Sequence, residues 1–301
     1  MHAQPQPPVH PDLHLDALDN LWFQVSGTLC NIACNHCFIS CSPTNHSFDL
    51  LTLADIRPYL AESIRMGVKE YYFTGGEPFI NKELLDILAE TLRHGPATVL
   101  TNAMLITEKK ARRLREIQNG TIYSLELRVS LDGYTAEMND AIRGDGVFAK
   151  TMNGVRLLYE HGFLPIVTVT KTWADHEDEA VMKGFVETLK DHGYARPRLK
   201  ILPALKIGKE AERTRGYDAY ERVTADMLED YDCGQLICSN SRVVTNRGVW
   251  VCPILLDAPH AKMGERLADA TGSYALTDAA CYTCYLYGSI CTNFSSGGAD
   301  A

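Results

Sequence analysis

The chain has 301 residues, 46% hydrophobic and 22% charged, with 29 Lys and Arg against 38 Asp and Glu and a formal net charge of −9. That length can bury a full core, in one large domain or a large one with a small companion, and the ordinary composition excludes disorder as the main state. The acidic balance argues against a nucleic-acid binder that works by phosphate neutralisation, and no apolar run of about 18 residues argues for a membrane span. Residues 1–20 begin Met1-His2-Ala3-Gln4-Pro5-Gln6-Pro7-Pro8 and lack the basic head and apolar stretch of a signal peptide. They read as a flexible tail, and the expected location is cytoplasmic.

Leu21 to Ser26 is a short apolar run ending at Gly27 and reads as a strand. Thr52 caps a helical pattern with Leu53, Ile56, Leu60 and Ile64 on one face, ended by Gly67. Val68 to Phe73 is a second strand running into Thr74-Gly75-Gly76-Glu77-Pro78, and Asn81 is expected to cap the next helix, with Leu84, Leu85, Leu88 and Leu92 buried. A strand from Ala97 to Leu100, a helix from Thr107 to Ile117 and a strand from Ser124 to Leu131 follow. Then come a helix from Val147 to His161, a β-branched strand from Leu164 to Lys171 and a helix from Asp178 to His192. A strand from Pro197 to Leu202 and a helix from Tyr217 to Tyr231 complete six strand–helix units. Such a series argues for a parallel sheet with helices outside, too short for a closed eight-unit barrel. The expected fold is α/β, a partial (β/α)6 barrel over residues 21–231 with a small C-terminal unit over residues 232–301. In that unit, Ser241 to Asn246 and Val249 to Val251 form a hairpin around Arg247-Gly248.

The ten cysteines fall in two groups, with none between Cys41 and Cys233. A disulfide framework is unexpected in a long chain from a reducing compartment, and metal or cluster ligation reads better. Cys30-x3-Cys34-x2-Cys37 follows the first strand directly. Three close thiolates can hold three corners of a four-iron cubane and leave the fourth iron open. A zinc site, with His36 or Cys41 as fourth ligand, is the alternative.

This spacing, with Gly75-Gly76-Glu77-Pro78 after the second strand, resembles the radical S-adenosylmethionine (SAM) superfamily from about Leu21 to the end of the chain. The resemblance implies a [4Fe-4S] cluster on Cys30, Cys34 and Cys37, with SAM chelating the open iron. His36 stands where the family usually has an aromatic residue, and Cys41 lies outside its pattern. The backbone of Gly75 and Gly76 would bond the methionine amine of SAM, since glycines let backbone come close to a ligand, and Glu77 would carry charge nearby. Asn102 after strand three, Ser130 before Leu131-Asp132-Gly133, Arg143 in Asp140-x2-Arg143-Gly144, and Leu202-Pro203 resemble the rest of the SAM shell. Arg143 would pair with the SAM carboxylate. All fall at the carboxyl ends of strands, where α/β folds place their sites.

Cys233-x4-Cys238-x13-Cys252 and Cys281-x2-Cys284-x6-Cys291 resemble the C-terminal auxiliary-cluster domains of this superfamily, called SPASM with two clusters and twitch with one. No cysteine follows Cys291, so ligands for two closed clusters are lacking. One auxiliary [4Fe-4S] cluster on Cys238, Cys252, Cys281 and Cys284 is expected, with Cys233 and Cys291 as further candidates and a zinc ribbon as the alternative. Cys238-x13-Cys252 with Arg242 inside also resembles the GTP cyclase of molybdopterin synthesis. The sulfatase-maturing members carry an Asp after the hairpin cysteine, and here Pro253 stands in its place. The catalytic base is therefore unassigned, with Asp257 and Tyr282, Tyr285 and Tyr287 as candidates. The resemblance implies reductive cleavage of SAM to a 5′-deoxyadenosyl radical that takes hydrogen from a substrate. The expected substrate is a peptide or protein side chain, with a small molecule as the second possibility and a non-catalytic metal scaffold as the rival. A flavodoxin or ferredoxin would supply the electron.

Overall fold

The computed structural model describes residues 10–292. In chain order it contains β1 (Asp12–Leu13), β2 (Asn20–Gln24), α1 (Leu53–Met66), β3 (Glu70–Thr74), α2 (Leu84–Thr91), β4 (Ala97–Thr101), α3 (Glu108–Asn119) and β5 (Leu125–Ser130). It continues with α4 (Ala136–Arg143), α5 (Val147–Glu160), β6 (Ile166–Thr170), α6 (Asp178–Asp191), β7 (Arg198–Leu202) and α7 (Lys209–Thr214). The C-terminal quarter adds β8 (Ser241–Thr245), β9 (Gly248–Trp250), β10 (Lys262–Gly264), β11 (Tyr274–Ala275) and α8 (Ala280–Tyr287).

Strands β2 to β7 lie in sequential order, all parallel; helices after β2 to β6 pack on the outer side, whereas the short α7 after β7 rests on the cysteine loop. The expected partial barrel is present, and among the described residues the sheet does not close. Period-two alternation builds two cores from one set of strands. Phe23, Phe73, Val99, Leu127, Val129 and Val167 face outward under the helices, where each large side chain removed from water contributes about 1.5–3 kcal/mol. Trp22, Tyr72, Leu100 and Leu202 face inward and share their cluster with the C-terminal quarter. Helix ends follow their local signals. Thr52 and Asp55 form a capping box on α1, Gly67 closes it in the left-handed region, and the Thr107 and Thr135 side chains cap α3 and α4.

Several expectations need correction. From His10 onward the supposed tail is part of the fold: β1 pairs with β11, Leu13 and Leu18 are buried, and the Asp16 and Asp19 N–H groups donate to Ser239 and Asn240. Residues 1–9, and the Gly297-Gly298 ending, lie outside the described residues. The hairpin does not stand apart from the barrel. β8 pairs in parallel with β2, and β9 and β10 extend the same sheet antiparallel, to nine strands in all. The hairpin turn is Asn246-Arg247, because Gly248 already pairs with Thr245.

Asn81 does not cap α2. Its Nδ2 donates to the Val25 and Leu51 carbonyls, and its Oδ1 accepts from the Glu83 N–H, tying the first two units together before the helix starts at Leu84. The helix expected over residues 217–231 does not form, apart from a single turn at Asp226–Leu228. Tyr217 Oη pairs with Thr283 Oγ1 at 2.5 Å, Lys206 binds Glu221, and Arg222 donates to the Thr277 carbonyl. These partners lie on different sides, and tertiary contacts override a modest local propensity.

Candidate active site

One chamber opens at the carboxyl ends of the parallel strands. Its lining includes Cys30, Cys34 and Cys37, the Gly75-Gly76 turn, and Asn102, Ser130 and Arg143. With Leu202 and Pro203, ten of the eleven residues expected at the SAM site therefore share one cavity wall. The exception is Glu77.

The cysteine loop leaves β2 through a turn that only small residues allow. Gly27 has φ +53° and a Cβ there would lie 2.0 Å from the Phe48 carbonyl oxygen. The Gly76 N–H donates to the Gly27 carbonyl and the Glu77 N–H to the Leu29 carbonyl. A Cβ on Gly76 would fall 2.1 Å from the Leu29 oxygen, so this glycine exists to let the two loops touch. The far side of the cysteine loop rests on α4, where the Asn35 N–H donates to the Ile142 carbonyl and Asn35 Nδ2 to that of Ala141. Asn102 Nδ2 donates to Asn31 Oδ1 at 2.7 Å and lies 3.9 Å from Cys30 Sγ.

Glu77 is fully buried and turned away from the chamber. It accepts from the Phe79 N–H, Thr101 Oγ1 and the Asn102 N–H. Burial pushes its carboxyl above the usual range, against the pull of those three donors. The geometry makes it a clamp between the glycine turn and the end of β4, and this corrects the expectation that it would reach a ligand.

Arg143 is bound by a residue that the sequence reading left unassigned. Its Nε lies 2.5 Å from Asp132 Oδ2, the same oxygen lies 2.7 Å from His36 Nε2, and Asp132 Oδ1 accepts from the Thr170 N–H. Burial opposes ionisation of Asp132, yet the Arg143 guanidinium and His36 hold its carboxyl well below the ordinary value. Arg143 Nη1 also lies 3.9 Å from Cys34 Sγ. The cysteine loop, the end of β5 and the end of α4 thus meet in one charged knot. Asp132 in the Asp-Gly step after β5 was the available signal.

Burial pushes the Cys30 thiol up to about 12 and the Cys34 thiol up to about 11. Hydrogen bonds from Cys41 hold the Cys37 thiol below its ordinary value, and the Cys41 N–H donates to Cys37 Sγ at 3.2 Å. Buried thiols become thiolates readily only when a cation meets them, and a cationic cluster fits this donor set.

The second group forms another pocket. Cys238, Cys252, Cys281 and Cys284 line one small apolar cavity with Val251, Ile254 and other buried residues. Cys281 and Cys284 sit one turn apart on α8, Cys252 follows β9, and Cys238 lies in the turn Ile237–Ser239 before β8. Burial raises all four thiols, so these too fit a cationic occupant. Arg242 is committed to backbone. Its guanidinium donates to the Cys238, Ser241, Ala270 and Gly272 carbonyls, bracing the cysteine turn. Cys233 lies outside this cavity. Cys291 lines the large chamber instead, where Arg128 and Lys200 hold the Cys291 and Thr292 carbonyls. Pro253 lines the chamber as well, Asp257 is exposed, and Tyr285 stacks between Tyr231 and Tyr282 as packing. Among the described residues, no three His, Cys, Asp or Glu side chains converge tightly enough to hold one metal ion.

The sequence model of the Radical SAM superfamily matches residues 25–183. The chain belongs to the radical SAM superfamily. It is 33% identical to the mycofactocin maturase MftC of Mycobacterium tuberculosis H37Rv over 154 residues, covering 50% of this chain and 38% of that one. Against the MftC of Mycolicibacterium smegmatis it is 31% identical over 256 residues, 83% of this chain and 59% of the relative. The GTP 3′,8-cyclase of Pectobacterium atrosepticum is 27% identical over 206 residues, 66% of this chain and 59% of the cyclase. The chain thus spans between 38% and 59% of these relatives' lengths. The fold matches a solved structure of anSMEcpe with bound AdoMet, at a TM-score of 0.60, 19% identity and coverage of 82% of this chain and 74% of that one. It also matches Streptococcus suis SuiB bound to its precursor peptide SuiA, at a TM-score of 0.60, 16% identity and coverage of 86% and 65%. Among the described residues no helix is long and apolar enough to cross a membrane.

Proposed function

We propose that this chain is a radical SAM enzyme acting on a peptide. The observation that carries the reading is the meeting, on one chamber wall, of the cysteine triad, the Gly75-Gly76 turn, Asn102, Ser130 and Arg143. Cys30, Cys34 and Cys37 would hold a [4Fe-4S] cluster with SAM on its open iron, and Cys238, Cys252, Cys281 and Cys284 one auxiliary [4Fe-4S] cluster. When bound, the first cluster and SAM supply a carbon-centred radical able to take hydrogen from an unactivated position. The chain's own part is positioning and exclusion. Gly75 and Gly76 bring backbone without side chains to the wall, and Asp132 fixes the Arg143 guanidinium beside Cys34. The inward faces of β2 to β7, with Ile290 and Cys291, wall the chamber against water. The peptide assignment is supported by likeness to maturases such as MftC, and SuiB is described with a bound precursor peptide. The likeness to GTP 3′,8-cyclase supports a small-molecule substrate as the second reading.

The test is anaerobic reconstitution followed by iron and zinc counts and an assay for 5′-deoxyadenosine under a strong reductant such as dithionite, in place of the expected flavodoxin or ferredoxin. About eight irons per chain and deoxyadenosine formation are expected. About four irons with one zinc would replace the auxiliary cluster with a structural ribbon, and no deoxyadenosine would overturn the enzymatic reading.

A further inference from the structure

One helix of this acidic chain is basic. α3 carries Lys109, Lys110, Arg112, Arg113 and Arg115 against Glu108 and Glu116, while the whole chain has a formal net charge of −9. No other helix among the described residues carries more than one net positive charge. The two carboxylates of α3 are already engaged, Glu108 with His161 at 3.0 Å and Glu116 with Arg113 at 3.0 Å. Lys109 and Arg112 are exposed, one turn apart, and make no ion pair or hydrogen bond among the described residues. Lys150, in the first turn of α5, is exposed and unpaired in the same way.

The loop between β4 and α3 links this surface to the cysteine triad. Lys110 Nζ donates to the Leu105 carbonyl at 3.0 Å, so the first turn of α3 rests on the loop. On the α5 side, Thr151 Oγ1 donates to the Asn102 carbonyl at 2.9 Å, which places neighbouring Lys150 beside the same loop. Asn102 Nδ2 donates to Asn31 Oδ1, and Asn31 Nδ2 lies 3.7 Å from Met104 Sδ. Asn31 follows Cys30 directly, and its Oδ1 lies 3.8 Å from Cys30 Sγ. Met104 and Leu105 are half-buried. A partly apolar loop flanked by uncompensated cations has the layout of a docking surface with a charged rim, and it connects to Cys30 through Asn102 and Asn31. Cations with no partner in the fold attract an anionic partner from solution and raise its encounter rate.

We propose that Lys109, Arg112 and Lys150, with the Met104-Leu105 loop beside them, dock a small acidic one-electron carrier protein that reduces the cluster on Cys30, Cys34 and Cys37. The reduced carrier gives up one electron and the cluster gains it; no bond is made or broken and no proton moves. This rests on the reading of the triad as a cluster site, and it adds the face by which the electron enters.

The experiment uses anaerobically reconstituted full-length protein and a strongly acidic flavodoxin as the carrier. Stopped-flow absorbance follows cluster reduction by flavodoxin hydroquinone, and calorimetry gives the dissociation constant for oxidised flavodoxin, each at low and at high salt. In the wild type both reduction and binding are expected to weaken as salt rises. Combining Lys109→Glu, Arg112→Glu and Lys150→Glu should slow reduction and weaken binding by about tenfold or more at low salt, and should flatten the salt dependence. All three positions are exposed and unpaired, so the fold should tolerate the change. The control combines Lys183→Glu, Lys190→Glu and Arg196→Glu, three exposed cations on α6 and the turn after it, and reaches the same net charge. It should change both quantities far less. An equal loss in the two triple variants, or none in the first, overturns the proposal, and so does a wild type that neither binds flavodoxin nor is reduced faster at low salt. If the first triple variant keeps flavodoxin binding but loses binding of polyglutamate, the patch takes an acidic peptide and the proposal fails. Deoxyadenosine formation under dithionite is read in parallel and should persist in the first triple variant. Deoxyadenosine with no flavodoxin effect would sink the docking face and leave the enzymatic reading standing; a flavodoxin effect with no deoxyadenosine would do the reverse.

Discussion

The two cysteine regions solve different problems with the same side chain. The first is a local loop in which Cys30, Cys34 and Cys37 span eight residues and face a largely apolar chamber at its polar edge, beside Asp132, Arg143 and Asn102. The second draws Cys238, Cys252, Cys281 and Cys284 from a turn, a strand end and a helix into an apolar pocket, with no charged side chain in its lining. A three-thiol site with polar company suits a cluster that must accept a further ligand. A four-thiol site sealed by aliphatic groups suits one that is closed and also ties distant segments together.

That contrast can be broken most directly at Cys34. Cys34→Ala is expected to abolish deoxyadenosine formation and remove about four irons per chain, leaving the other four in place. Loss of all the iron would mean that the two regions are not independent. Persistence of SAM cleavage at the wild-type rate would mean that the triad is misassigned. Cys284→Ser should also cost about four irons, but its larger effect should be on folding, because a closed site that joins three segments contributes folding energy directly. The measurement is the melting temperature of both reconstituted variants. A smaller drop for Cys284→Ser than for Cys34→Ala would reverse the assignment of structural and open sites.

The same contrast explains what could be seen in the sequence. The βα rhythm from β2 to β7 was legible because alternation and capping are local, and the α1 caps at Thr52 and Gly67 fall where they were expected. The cysteine triad and the glycine turn were legible because their chemistry is carried by short spacing. The four cysteines proposed for the auxiliary cluster could be grouped by pattern, and they do share one pocket. What was hidden is non-local. The parallel pairing of β8 with β2 joins segments more than two hundred residues apart, and no hairpin signal reports it. Glu77 reads as a charge near a ligand, yet three donors from Phe79, Thr101 and Asn102 turn it inward. Arg143 reads as a free cation until folding brings Asp132 against it.

That ion pair sharpens the comparison further, since the lining of the second pocket holds no charged side chain. Asp132→Asn leaves Arg143 buried without a counter-charge and should cost about 3–5 kcal/mol, on the order of 10 °C in melting temperature. The pH dependence follows from the sign of the shift. Asp132 is held below its unfolded value of about 3.9, so its contribution is complete above that value and is lost as pH falls towards the depressed folded one. Below about pH 5 the variant should therefore lose stability less steeply than the wild type. Parallel acid-unfolding curves for the two proteins would place the Asp132 charge outside the folding balance.

The smallest expected effect tests how closely the first region is packed. A methyl group on Gly76 would meet the Leu29 carbonyl oxygen at 2.1 Å, with the Cys30 N–H at 2.7 Å behind it. Both are backbone atoms of the cysteine loop and cannot rotate aside. Gly76→Ala should therefore cost about 1–3 kcal/mol in stability, and it should weaken SAM binding by moving the first cysteine relative to the glycine turn. Gly272→Ala in the C-terminal quarter is the matched comparison, because a Cβ there meets nothing within 4 Å. Its change should stay within about 0.5 kcal/mol. If Gly76→Ala binds SAM as the wild type does while its melting temperature falls, the close approach serves folding alone. If both fall together, the same glycine that lets the loops touch also sets the distance at which a ligand is held between them.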